Sequence, residues 1–206
     1  MTGSAYIDND IFLKLVASDI LEEALQAIGL LPQNVAVLER AKYVFRKTKR
    51  YPDAVINSAI EKLNQFPKVA ADAEGESEVF FRLHQTFEID IGEAILISRT
   101  YSHDDCLLIT GDKRCLQALK NNPALQDIHA NLQGRVICLE QIVKKTIETQ
   151  GFSYVRQQSK FLASYDKALQ IAFGSSLNND RVQVVANLNS YIEELQRKSD
   201  NLLCNL

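Results

Sequence analysis

Three acidic residues stand where a carboxylate is costly unless something cationic meets it. Asp8 ends the short apolar run Ala5-Tyr6-Ile7, and an unpaired charge at the end of a buried strand pays a heavy desolvation cost. Asp112 follows Leu107-Leu108-Ile109-Thr110-Gly111, so a hydroxyl and a carboxylate sit together at the end of the clearest strand in the chain. Glu93 lies in Asp90-Ile91-Gly92-Glu93-Ala94, at the start of an amphipathic stretch just before that strand. Carboxylates gathered in one pocket repel and raise each other's pKa unless a cation binds between them. Oxygen ligands with water are what Mg2+ and Mn2+ prefer. What such a cluster is expected to do is hold a divalent cation.

Each acid also has a plainer role available. Asp8 or Asp10 can cap the helix that follows, and for Asp10 capping is the better reading. Asp90 with Glu93 three residues on has the form of a capping box. Asp112 can cap the helix after it. Gly92 is a poor residue for a first helical turn and points to close approach of another backbone or a ligand.

The acids draw their meaning from the elements that must position them. Ser4 to Asp8 reads as a strand. It is followed by a helical pattern on Ile11, Phe12, Leu15 and Val16, and by a second helix opened by Ser18 and closed by Gly29. Val35 to Lys49 reads as helix, Pro52-Asp53 opens another, and Phe66 to Ala71 reads as a short strand. Val79–Phe87 and Ile91–Tyr101 are amphipathic, Cys106–Thr110 is a strand, Asp112–Lys120 a helix, Arg135–Leu139 a strand and Gln141–Thr149 a helix. Apolar strands alternating with helices predict an α/β fold, a parallel central sheet flanked by helices. Ligands of such sheets bind beyond the C-terminal strand ends, where Asp8, Asp10 and Asp112 fall. The pattern divides the chain into residues 1–150 and a helical C-terminal extension, 151–206: an aromatic-rich helical stretch from Phe152 to Phe173, a loop, then a helix over Val182–Leu195.

Bulk composition narrows the classes. Hydrophobic residues at 46% and charged residues at 24% describe a globular chain. Cys106, Cys115, Cys138 and Cys204 have no zinc-binding spacing, so reduced thiols in a cytoplasmic protein are expected. No apolar run is long enough to span a bilayer, so no membrane partner is expected. A net charge of −3 argues against a surface coated for nucleic acid, so contact with RNA would rest on a local patch. Arg40, Lys42, Arg46, Lys47, Lys49 and Arg50 crowd one segment, and Lys113-Arg114 flank Asp112. Such cations can hold phosphates, or simply form a solvated face. Tyr43 and Phe45 can stack bases, though Phe45 is better suited to the core.

Taken together, Tyr6-Ile7-Asp8-Asn9-Asp10, Asp90-Ile91-Gly92-Glu93-Ala94 and Leu108-Ile109-Thr110-Gly111-Asp112-Lys113-Arg114 resemble, in order and spacing, the acidic motifs of the PIN domain family. The resemblance covers residues 4–140. It implies a nuclease, most often a ribonuclease, whose acids hold Mg2+ or Mn2+. Asp8, Glu93 and Asp112 match the first, third and fourth acidic positions, and Thr110 the hydroxyl residue two before the last. Glu39 is the best match for the second acid, which the family carries on a helix. Asn9 and Asp10 depart from the family's usual residues. RNA as substrate is implied by the family alone, as is an inhibitory protein partner; the extension suggests a homodimer or inhibition in cis.

Two other readings stay open. Asp8-Asn9-Asp10 after a strand is also similar to the nucleophile and acid/base pair of haloacid-dehalogenase-like phosphatases, but Lys113-Arg114-Cys115-Leu116 stands where that family expects a further acid. A PIN-like scaffold without catalysis would serve as an RNA-binding or assembly module.

Overall fold

The computed structural model describes residues 3–70, 77–174 and 176–206. Five strands form one parallel sheet in the order β3-β2-β1-β4-β5. They are β1 (Ser4–Ile7), β2 (Val35–Leu38), β3 (Lys68–Val69), β4 (Cys106–Ile109) and β5 (Val136–Ile137). The central pair is the best matched, with Ser4 to Ile7 in register with Cys106 to Ile109. Three of the four residues of β2 and of β4 are buried, and no residue of β1, β2 or β4 is fully exposed, as expected of a sheet covered on both faces.

The helices are α1 (Asn9–Ala17), α2 (Leu21–Ala27), α3 (Ala41–Lys47), α4 (Asp53–Lys62), α5 (Glu78–His84), α6 (Ile91–Tyr101), α7 (Lys113–Asn121), α8 (Gln126–Leu132), α9 (Leu139–Gln150), α10 (Phe152–Tyr165), α11 (Lys167–Phe173) and α12 (Arg181–Ser199). Helix α6 lies against β1 and β4 with α5 and α8 beside it, while α1 packs on α2, α4 and α10, and α9 on α2, α10 and α12. The chain runs outward from β1 to β2 and β3, then crosses through α5 and α6 to β4 on the other side. The topological switch point therefore lies between β1 and β4, where open α/β sheets place their ligands.

Several expectations need correction. Val35–Lys49 is not one helix: Val35–Leu38 is a strand, and only Ala41–Lys47 is helical. An apolar four-residue run fits either state locally, and pairing with β1 and β3 decides for strand. Ser18 does not open α2. It closes α1, its hydroxyl donating to the Lys14 carbonyl, and α2 starts after Ile20 without a side-chain cap. The expected strand at Phe66–Ala71 shrinks to Lys68–Val69, and Ala71 lies outside the described residues. The Phe152–Phe173 stretch breaks at Asp166, whose side chain accepts from the Leu169 N–H to start α11. Helix α8 has no counterpart in the sequence reading.

Residues 151–206 share the hydrophobic cluster of the sheet. Val155, Leu162, Phe173, Leu188, Leu195 and Leu202 are buried in it alongside Ile137 and Ile142. The last residues run along the edge of β5: Val136 N–H donates to Leu202 O, Cys204 N–H donates to Val136 O, and Leu203 pairs with Val136 in parallel. The edge that β5 would otherwise leave open is thereby covered.

Candidate functional site

A cavity of about 790 Å3 opens at the C-terminal ends of β1, β2 and β4. Asp8, Glu39, Glu93 and Asp112 all line it, with Arg40, Lys113 and Arg114. Asp10, Arg50, Tyr51 and Asp90 line it too, and Leu13, Leu38, Val44, Val69 and Ile95 give it an apolar side. The volume lies within the range of small-ligand sites.

Local structure explains how the acids arrive there. Asp8 ends β1 and is the N-cap of α1, its carboxylate accepting from the Asp10 N–H at 3.3 Å. The cap is thus Asp8, and Asp10 sits in the first turn, the reverse of the expectation. Asp90 and Glu93 make a complete capping box on α6: Glu93 N–H donates to Asp90 Oδ1, and Asp90 N–H donates to Glu93 Oε2, both at 2.8 Å. Asp112 caps α7, its Oδ1 accepting from the Arg114 and Cys115 N–H groups. Gly92 is explained by crowding: a Cβ there would stand 3.1 Å from a Leu38 methyl and 3.2 Å from Asp90 Oδ1.

The acids therefore cap helices and also meet at the switch point, and capping does not relieve their electrostatic burden. Glu93, 8% exposed, has its pKa pushed up to about 8, chiefly by burial and then by the charges of Asp112, Asp90 and Asp8, against the Asp90 N–H bond. Asp8 is pushed up to about 6 by burial and by Asp10, with Asp90 adding to it. The buried Cys115 thiol is pushed well up by burial, by Glu93 and by the neighbouring aspartates. No family model, curated protein or solved structure matches this chain. The site must therefore be read from its own residues.

Glu39 is exposed and, contrary to expectation, lies off any helix, directly after β2, where its N–H donates to Val69 O. That placement brings it to the cavity by the same route as Asp8 and Asp112. Thr110 is buried at 3% and turns inward, its Oγ1 accepting from the Asp112 N–H at 3.3 Å, so it supports the turn and does not line the cavity. Arg46 and Lys47 are exposed on the last turn of α3 and also lie outside the lining. Phe45 is fully buried, stacked on Phe12. Tyr43 is exposed, with Lys42 over its ring.

The sequence reading missed Lys14 and Tyr51, and named Arg50 only within a run of cations. Lys14 is buried yet charged, bridging Asp10 at 2.5 Å and Asp166 at 2.7 Å. Burial alone would lower its pKa, but Asp166 and Asp10 hold it above the usual value. Arg50 contacts Asp10 at 3.4 Å and donates to the Tyr165 carbonyl. Tyr51 is 6% exposed and packs on Tyr165, ring centroids 4.3 Å apart. A lysine on an apolar helix face was the one signal available in advance; the partner, Asp166, lies 152 positions away.

Among the described residues, no three acidic, histidine or cysteine side chains are drawn together as a closed ligand set. A zinc cage is built that way, but Mg2+ keeps several waters and takes only one or two direct carboxylates. Oxygen donors that are desolvated and mutually repelling fit such a hard, hydrated cation. Asp8, Glu93 and Asp112 are the residues that would hold it.

Proposed function

We propose that this chain is a Mg2+- or Mn2+-dependent nuclease of the PIN kind, acting on RNA. One observation carries the reading: Asp8, Glu93 and Asp112 come from three different elements to the switch point of a parallel sheet, and two of them have strongly raised pKa values there. Clustered acids with perturbed pKa values in a cleft mark functional sites more often than structural ones.

A divalent ion at these acids supplies Lewis acidity toward water and phosphate. The chain's own groups do the rest. Lys113 and Arg114, beside Asp112, and Arg40, beside Glu39, offer phosphate contacts on either side of the acids. Arg114 is 82% exposed and reaches Asp112 Oδ2 only at 3.4 Å, so it is free to turn to a phosphate. The apolar side built by Leu38, Val44, Val69 and Ile95 suits an unstacked base, which favours a single strand over a duplex.

The test is cleavage of end-labelled single-stranded RNA with Mn2+ by wild type, Asp8→Asn and Asp112→Asn, with calorimetric Mn2+ titration and circular dichroism on each. Cleavage that EDTA abolishes, and that folded mutants lose by about a hundredfold or more, supports the reading. A second reading rests on the completeness of the helix caps: a metal-indifferent RNA-binding module. Wild type that binds RNA equally well in EDTA, with no Mn2+ uptake at millimolar metal, would favour it. Asp10, held by Lys14, is poorly placed as the acid/base partner of a phosphatase nucleophile.

A further inference from the structure

The wall of the cavity facing the C-terminal extension carries a donor that the protein leaves unused. The Tyr51 hydroxyl is buried and has no hydrogen-bond partner, on a residue that lines the cavity. Buried hydroxyls are ordinarily satisfied, so an unsatisfied one on a residue that lines a cavity points to a ligand atom. Its position is built. The ring is held by Tyr165 at 4.3 Å and lies under the Arg50 guanidinium at 5.9 Å. Arg50 is in turn tied to the Tyr165 carbonyl.

Charge decides what kind of atom fits. Lys14 sits between Asp10 and Asp166, and Arg50 supplies the second positive charge, so this wall is close to neutral. Arg40 adds another cation to the lining. The other acids of the lining, Asp8, Glu93, Asp90 and Asp112, repel anions. Burial, and after it Asp10, pushes the Tyr51 pKa up to about 12, which keeps its proton in place as a donor.

We propose that the Tyr51 hydroxyl and the Arg50 guanidinium form a phosphate subsite of the cavity, holding a phosphate of the strand other than the one brought to the acids. The assignment of the anion to a nucleic-acid strand rests on the nuclease reading; the donor pair does not. Arg50 exchanges its 3.4 Å contact with Asp10 for a charge-assisted bond to phosphate, and Tyr51 gains the partner it lacks. Because Tyr165 holds both residues, the C-terminal extension takes part in shaping this subsite.

The experiment is calorimetric titration of a 5′-phosphorylated dinucleotide, with its unphosphorylated form as control, into the full chain in EDTA. Wild type, Tyr51→Phe, Arg50→Gln and Arg46→Gln are compared, and each is melted without ligand. The expected result is phosphate-dependent binding that weakens about tenfold in Tyr51→Phe and in Arg50→Gln and is kept in Arg46→Gln, whose side chain lies outside the cavity lining. Ligand-free Tyr51→Phe should melt no lower than wild type, since it loses no internal bond. Binding by Tyr51→Phe equal to wild type, no phosphate-dependent binding by wild type, or a clearly lower melting point for ligand-free Tyr51→Phe would each overturn the subsite. Because metal is absent, loss of Mn2+ dependence in cleavage would sink the nuclease reading while leaving this result intact.

Discussion

The two ends of the sheet handle charge in opposite ways. At the N-terminal end of β4, Arg135 spends its donors on the carbonyls of Thr100, His103, Cys106 and Asn131, and on the Asn131 side chain. One cation ties α6, the loop before β4 and α8 together. At the C-terminal end, Asp8 and Glu93 are desolvated beside further acids, with pKa values raised to about 6 and about 8. The first end is matched internally and serves stability. The second carries repulsion that a bound cation would relieve, as expected where a fold gives up stability for a site.

Even the second end is not uniform. Its extension-facing half is compensated by Lys14, and Asp166 is held below the usual carboxylate range because Lys14 and backbone N–H groups outweigh its burial. The two halves meet at Asp10, which is paired with Lys14 and yet still helps to raise Asp8.

The sharpest way to break this contrast is Arg135→Ala, which strands several carbonyls at once. It should cost about 4 kcal/mol in urea denaturation, with Mn2+ affinity of the remaining folded protein unchanged; a loss under about 1 kcal/mol would mean the network is decorative. Next comes Lys14→Ala, which leaves Asp166 buried without its partner. About 3 kcal/mol should be lost, and the stability of Asp166→Asn in the same background should recover much of it.

Glu93→Gln runs the other way. Gln keeps the capping geometry with Asp90 and removes a charge the fold disfavours. Because the folded pKa of Glu93 lies above its unfolded value, the native state binds more protons between about pH 4 and pH 8, so wild-type stability falls as pH rises through that window. The variant should be about 2 kcal/mol more stable than wild type at pH 8 and equal to it at pH 4. Millimolar Mn2+ should close the gap at pH 8 by stabilising only the wild type. A gap that ignores pH would show that the Glu93 pKa is not raised in the folded state, and a gap that millimolar Mn2+ leaves unchanged at pH 8 would show that no cation binds at the acids. The smallest effect belongs to Arg114→Ala: with its side chain exposed, stability should change by less than about 0.5 kcal/mol, while RNA affinity falls and its salt dependence flattens.

Much of the architecture was legible in local pattern. The β4 strand, the α6 helix and the glycine-containing turn into α7 follow from a continuous apolar run, an amphipathic period and a cap residue, all of which act within a few positions. The acids could be picked out for the same reason: strand ends and helix starts are local features. Val35–Leu38 was misread because four apolar residues satisfy either period, and only the neighbouring strands β1 and β3 select between them. Glu39 was accordingly put on a helix that does not exist, although it reaches the cavity.

The strands β1 and β4, the helix α6 with its Asp90–Glu93 capping box, and the placement of Asp8, Glu93 and Asp112 at element ends were thus determined by the sequence itself, because each depends on interactions within about one turn of chain. Tertiary structure alone decided which residues face one another. It turned Thr110 inward, left Arg46 and Lys47 outside the cavity, paired Lys14 with Asp166 and set Tyr51 against Tyr165. The last two pairings join segments more than a hundred residues apart, where burial sets the strength of each charge and no local period records the partner.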